Sequence, residues 1–178
     1  MENQTKKEAF KKLRDENLDL AIVAKGGISL YHNLNLINSD IQLLASKGYK
    51  IIEFDDRVMT TETELHWDLQ VKLGFRNYGK GFDALNDCLR DYEVTSPGHV
   101  LVLKKLDHLD HQSIYHLLDV FALHCRRNCA IGRKLLLLVQ VDNRKFSINE
   151  PIGSLNFWLW NDQEWSVSNR HEHDPNSK

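Results

Sequence analysis

Apolar residues in this chain fall into alternating helix-like and strand-like runs from Leu34 onward. Leu34, Ile37, Ile41, Leu44 and Ala45 keep the i, i+3, i+4, i+7 spacing of an amphipathic helix, and Gly48 follows where a left-handed C-cap belongs. Tyr49 to Phe54 reads as a buried strand ending in Asp55 and Asp56. Thr61 and Glu64 form a T-x-x-E capping box for a helix whose Leu65, Leu69 and Leu73 share one face, and Gly74 stops it. A tight connection at Asn77–Gly81 leads to a second helix, predicted from Phe82 to about Tyr92. Pro97 and Gly98 then turn the chain into Val100–Leu103. A long helix is expected from about Gln112 to Arg127, on Ile114, Leu117, Leu118, Phe121 and Cys125. Gly132 precedes the most apolar run, Leu135 to Val139.

Weaker patterns flank this core. Phe10, Leu13 and Leu18 suggest a loosely docked helix over Thr5–Leu18, and Ile28–Tyr31 fits a short strand. Leu155–Trp160 and Trp165–Val167 alternate well enough to predict an antiparallel edge hairpin turning at Asn161–Asp162. Strands that return through helices pair in parallel, and runs such as Leu135–Val139 suit strands buried on both faces. The expected architecture is α/β. Three core parallel strands flanked by helices form a central domain over 49–141. N-terminal helices occupy 1–48, edge strands over 142–169 pack on the same domain, and a polar tail at 170–178 is read as disordered.

Composition narrows the function classes. A formal net charge of -2 excludes a general binder of nucleic acid or anionic membranes, which needs a basic excess. No run approaches the 18 or so apolar residues of a membrane span, and Met1–Arg14 has no apolar core. Cys88, Cys125 and Cys129 are few, odd in number and without a CxxC pair, which suits a reducing cytoplasm. We expect a cytoplasmic monomer.

The segment Tyr78–Tyr92 carries the most information. Asp83, Asp87 and Asp91 recur every four residues, so a helix sets all three carboxylates on one face. Like charges at that spacing cost about 0.2–0.5 kcal/mol per pair. Asp83 lies in the first turn, where the helix dipole favours an anion; Asp87 and Asp91 do not. Such a stripe either has cationic neighbours within the fold or is kept for a partner. Tyr78, with Gly79 and Gly81, adds an aromatic residue and a backbone-exposing turn beside the acidic row, a combination typical of interaction hot spots.

Tyrosine-glycine, two residues, an apolar residue, Asp-Ala-Leu, one residue, then Asp-Cys-Leu is the pattern of Tyr78–Leu89. That run resembles the signature of the barstar family, the intracellular inhibitors of barnase-type ribonucleases. The resemblance extends through the strand at Lys50–Phe54, the helix before the loop and the strand–helix–strand of Val100–Val139, roughly half the chain. It implies a barstar-like three-layer fold whose inhibitory helix and preceding loop plug a nuclease active site. Asp83 and Asp87 match the two family aspartates that meet the nuclease's arginine, lysine and histidine groups, and Tyr78 matches the second of two loop tyrosines. The chain departs from the pattern at Asn77 for the first tyrosine, Gly81 for a frequent asparagine and Asn86 for an aromatic residue. Arg126 and Arg127 stand near the place of a glutamate late in the third helix.

The partner-binding residues expected are therefore Tyr78, Gly79, Gly81, Asp83, Asn86, Asp87 and Asp91, with no catalytic residues, no metal ligands and no cofactor. The partner expected is a barnase-type ribonuclease or another cationic protein, with no direct nucleic-acid or membrane contact. An immunity-type inhibitor is the leading reading. A module of the same fold with a non-nuclease partner is the alternative, and an enzyme comes last because no nucleophile, base and oxyanion donors assemble. Asp107–His108 and Asp110–His111 resemble metal ligands only superficially, and Asp110 is read as a helix N-cap. Cys88 is read as a buried thiol whose pKa nearby anions raise. Trp158, Trp160 and Trp165 are read as covering the sheet edge or the N-terminal helix.

Overall fold

The computed structural model describes residues 14–54, 59–154 and 159–167. Helix α1, described over 14–24, leads into strand β1 (Ile28–Tyr31) and helix α2 (Leu34–Ser46). Strand β2 (Lys50–Glu53), helices α3 (Glu62–Leu73) and α4 (Phe82–Asp91) and strand β3 (His99–Leu103) follow. Helix α5 (His111–Ala130), strand β4 (Leu135–Gln140) and helix α6 (Asp162–Val167) complete the order. The four strands form one parallel sheet in the order β1-β4-β3-β2.

The two-residue period of the strands sorts their side chains onto two cores. Leu101, Leu103, Leu135, Leu137 and Val139 face α3, α4 and α5. Val100, Val102, Leu136 and Leu138 face Leu18 and Ile22 of α1 and Ile37, Ile41 and Leu44 of α2. This is the three-layer α/β fold expected. β1, β3 and β4 are buried along their length, whereas Lys50 and Glu53 of the edge strand β2 are exposed. The described part of the first 48 residues thus supplies a sheet strand and one whole helical layer. Buried charge ties that layer down: Asp40 accepts from Arg14 at 2.6 and 2.8 Å and from the Tyr31 hydroxyl at 2.8 Å. Asp19 accepts from Tyr49 at 2.8 Å and from Lys134.

Local signals did their work where they were strong. The Thr61–Glu64 capping box is present, with Glu64 N–H donating to Thr61 Oγ1 at 3.3 Å and Thr61 N–H to Glu64 Oε2 at 3.2 Å. Asp110 caps α5 by accepting from Ser113 N–H at 3.0 Å. Gly48 is left-handed, with its N–H bonded to Ala45.

The edge hairpin expected around Asn161–Asp162 is not formed. Leu30 and Trp160 make a parallel bridge, and Trp165–Val167 lie in α6. The physical reason is a cap read as a turn. Asn161 Oδ1 accepts from Gln163 N–H at 3.1 Å and Glu164 N–H at 3.0 Å, which starts a helix. Glu164 in turn accepts from the backbone of His32 and Asn33 and so locks α6 to the end of β1. Trp160 is buried and its indole N–H donates to Phe146 O at 3.1 Å, so it covers the sheet edge as expected. Leu155–Trp158, Asp55, Asp56, the first 13 residues and the tail at 170–178 lie outside the described residues.

Candidate functional site

Helix α4 is strongly two-sided. Leu85 and Leu89, four residues apart, are buried in the core beneath the sheet, and the half-buried Ala84 and Cys88 pack against the same cluster. That leaves Asp83, Asp87 and Asp91 on the outer face, all exposed. The helix starts at Gly81, whose φ of 101° and ψ of 164° suit glycine and strain any residue with a Cβ. Gly79 is exposed and Gly81 half-buried, so this turn offers backbone to the surface beside Asp83.

The loop before α4 is held from inside. Tyr78 is 8% exposed, and its hydroxyl bonds His66 Nδ1 on α3. Tyr78, expected among the partner-binding residues, is thus mostly buried here, and its ring anchors the loop. Hydrophobic burial decided this, since a phenol that finds a buried polar partner gains its full apolar area at little polar cost. Phe75 packs on Tyr78 at 5.5 Å between centroids and edge-on to Tyr92 at 6.2 Å; His66 meets Phe82 at 4.9 Å. Burial holds the His66 imidazole below its ordinary pKa despite Glu62 nearby, and burial, with Cys88 and Glu62, raises that of Tyr78.

Asn86 also turns inward. It is half-buried, and His124 Nε2 of α5 lies 2.9 Å from its Oδ1, an N–H donated to the amide carbonyl. Burial, reinforced by Arg127 and Arg90, holds His124 below its ordinary pKa, and its hydrogen bond to Asn86 staples α4 to α5. The acidic face itself is not uncompensated. Arg90 Nη1 lies 3.1 Å from Asp87 Oδ1 and Arg90 Nε 3.7 Å from Asp91 Oδ1. With Asp87 63% and Arg90 49% exposed, that pairing is weak and easily exchanged. Asp83 has no ion-pair partner among the described residues. Sequence reasoning missed Arg90, although the i, i+3 spacing from Asp87 was the available signal. Cys88 is half-buried, and burial, then Asp87 and Asp91, raises its thiol pKa as expected.

An open groove of about 600 Å³ runs beside α4, between its second half and the end of α3. Asp87, Asp91 and Glu93 supply carboxylates to it and Arg76 one guanidinium. Elsewhere, Asp107, His108 and Asp142 place one ligand atom each within 4.8 Å of one another. Their atoms are already engaged: Asp107 accepts from Asp142 and Asn143 N–H, and His108 Nε2 meets Asp142 at 2.9 Å. Among the described residues no helix is long and apolar enough to cross a membrane.

Comparison with known proteins places the site in context. The sequence model of the family described as barstar, the barnase inhibitor, matches residues 49–140, just over half of the 178. The match spans β2 to β4 and so includes α4 and its loop. No curated protein matches the chain.

Proposed function

Since the chain belongs to the barstar family, we propose that it is a protein-binding inhibitor that docks α4 and the Gly79–Gly81 turn into the cationic active site of a ribonuclease. The observation that carries the reading is the outer face of α4. Asp83 and Asp87 stand exposed one helical turn apart, on a helix whose opposite face is anchored by Leu85 and Leu89. A ribonuclease concentrates positive charge to hold phosphate. A rigid row of carboxylates imitates the negative charge of that phosphate without offering a bond to cleave, and opposite potentials steer the encounter. Rigidity matters because each side chain ordered on binding costs affinity; Tyr78–His66 and Asn86–His124 fix the platform in advance.

An immunity-type role, protection of a cell from a ribonuclease it makes, fits this chemistry. The second reading keeps the platform but gives it a different cationic protein. It draws on the inward Tyr78 and Asn86, which leave the outer face to carboxylates and glycine backbone with little aromatic surface.

Calorimetric titration into a catalytically silenced barnase-type ribonuclease, with Asp87→Ala alongside, tests the proposal. Tight binding that collapses in the variant supports it. Absence of heat with both proteins removes the barnase-type target and leaves the second reading.

A further inference from the structure

We propose that the cavity between the Gly26–Gly27 turn and the last turns of α5 binds a short aliphatic carboxylate, its chain inside and its head on Arg126. The cavity measures about 340 Å³, at the small end of the roughly 300–1,000 Å³ of ligand sites. One wall is Val23 with the two glycines before β1, and the other is Cys125, Arg126, Cys129 and Ala130 of α5. The first wall lies outside the residues that match the family model and the second within them. The cavity therefore arises where this chain's N-terminal layer meets the family core. Arg126 and Cys129 also lie on the side of α5 opposite His124, which meets α4. The site is thus separate from the docking face, whatever that face binds.

The lining sets both parts of the ligand. Glycine backbone, small aliphatic groups and two thiols make an apolar wall, because a neutral thiol behaves as a small hydrophobe. Cys125 Sγ is turned to Gly27 O at 3.8 Å and so is not offered to a ligand. The close approach of the turn to α5 requires glycine, since a Cβ on Gly27 would fall 2.3 Å from Cys125 Cβ. Arg126 supplies the charge. It is half-buried, and its side chain makes no ion pair or hydrogen bond among the described residues. Its guanidinium packs over Gly153, where an added Cβ would lie 3.1 Å from Nη2. Asp119, which also meets that glycine, accepts from Gly153 N–H at 2.6 Å and forms no ion pair with Arg126. A guanidinium partly withdrawn from water without an anion favours one, and its fork of donors matches the two oxygens of a carboxylate. The aliphatic chain then covers the apolar wall and excludes water from it.

The test titrates the 15N-labelled full chain with octanoate, with its neutral isostere octanamide and with acetate, each below the concentration at which it self-associates. Saturable shifts at the amides of Gly26, Gly27, Cys129 and Ala130 are expected with octanoate. Octanamide binds about three- to tenfold more weakly, the difference made by a half-exposed charged hydrogen bond, and acetate gives no saturable response. Arg126→Gln, which keeps the stem and removes the charge, binds octanoate and octanamide alike. Ala130→Leu, at an exposed helical position, fills the cavity and abolishes saturable binding. Octanamide equal to octanoate in the parent chain overturns the site, and so does octanoate binding that survives Ala130→Leu. Shifts that do not saturate, or that centre on exposed Ile131 and Leu123, overturn it as general adhesion to apolar surface. Should Arg126→Gln fail to fold, the comparison of the three ligands on the parent chain and on Ala130→Leu decides alone.

Discussion

Asp87→Ala separates binding from folding, because the structure assigns its carboxylate little to do for the fold. The variant loses the exposed pair with Arg90, worth about 0.3–0.5 kcal/mol on a helix surface. It gains relief from like charges at Asp83 and Asp91, each about 0.2–0.5 kcal/mol, since both lie four residues away. Alanine also exceeds aspartate in helix propensity by about 0.5–0.7 kcal/mol. The net is a gain of about 0.4–1.4 kcal/mol, or a rise of about 1–6 °C in melting temperature for a chain of this size. Binding should move the other way. Truncating a hydrogen-bonded interfacial charge costs about 2–5 kcal/mol, a range to which the barnase–barstar complex itself contributes, and that is about 30- to 4000-fold in affinity. Thermal unfolding by circular dichroism and calorimetric titration, run on the same preparations, read both quantities. A melting temperature lowered by more than about 3 °C would refute the reasoning, for it would make Asp87 a structural ligand.

Other expectations address the supports of the site. Leu85→Ala, at a fully buried anchor of α4, should cost about 2–5 kcal/mol by denaturant titration, and a cost below 1 kcal/mol would mean that α4 is not seated on the core. His66, His99 and His124 are buried with pKa values lowered by that burial, helped by Lys50 at His99 and by Arg127 and Arg90 at His124, and opposed by Glu62 at His66. A depressed folded pKa contributes stability that is full above the unfolded value of 6.5 and lost as the pH falls through the folded values. The urea midpoint should therefore decline below pH 6.5, and a flat profile from pH 7.5 to 5.5 would contradict the buried neutral rings. Among the thiols, exposed Cys129 should react with iodoacetamide first, Cys88 slowly and buried Cys125 last. Mass-spectrometric mapping of Asp87→Ala should show Cys88 modified faster than in the parent chain, because one of the anions that raise its pKa is gone.

The Asn161 cap illustrates how signals in a sequence compete. Asn161-Asp162-Gln163-Glu164 holds both a turn signal and an N-cap with an acid three residues on. The alternating apolar residues on either side favour the turn. The helix won because Glu164, three residues after Asn161, reaches back to the backbone of His32 and Asn33, a contact that local patterning does not contain.

What the sequence by itself determined is the part governed by short range. Helix periods, the T-x-x-E cap, the left-handed glycine at 48 and the apolar β4 run all act within a few residues, and they sufficed for a parallel α/β sheet. The motif at Tyr78–Leu89 likewise set the acidic face of α4, since a helix puts residues four apart on one side whatever surrounds it. Only the tertiary structure decided which members of that motif face out. Tyr78 and Asn86 were drawn inward by His66 and His124, 12 and 38 residues away in the chain. It also decided that the loop after α3 and the exit of α4 enclose a groove. Burial and pairing at such distances depend on how helices settle on the sheet, and that is a property of the packed core.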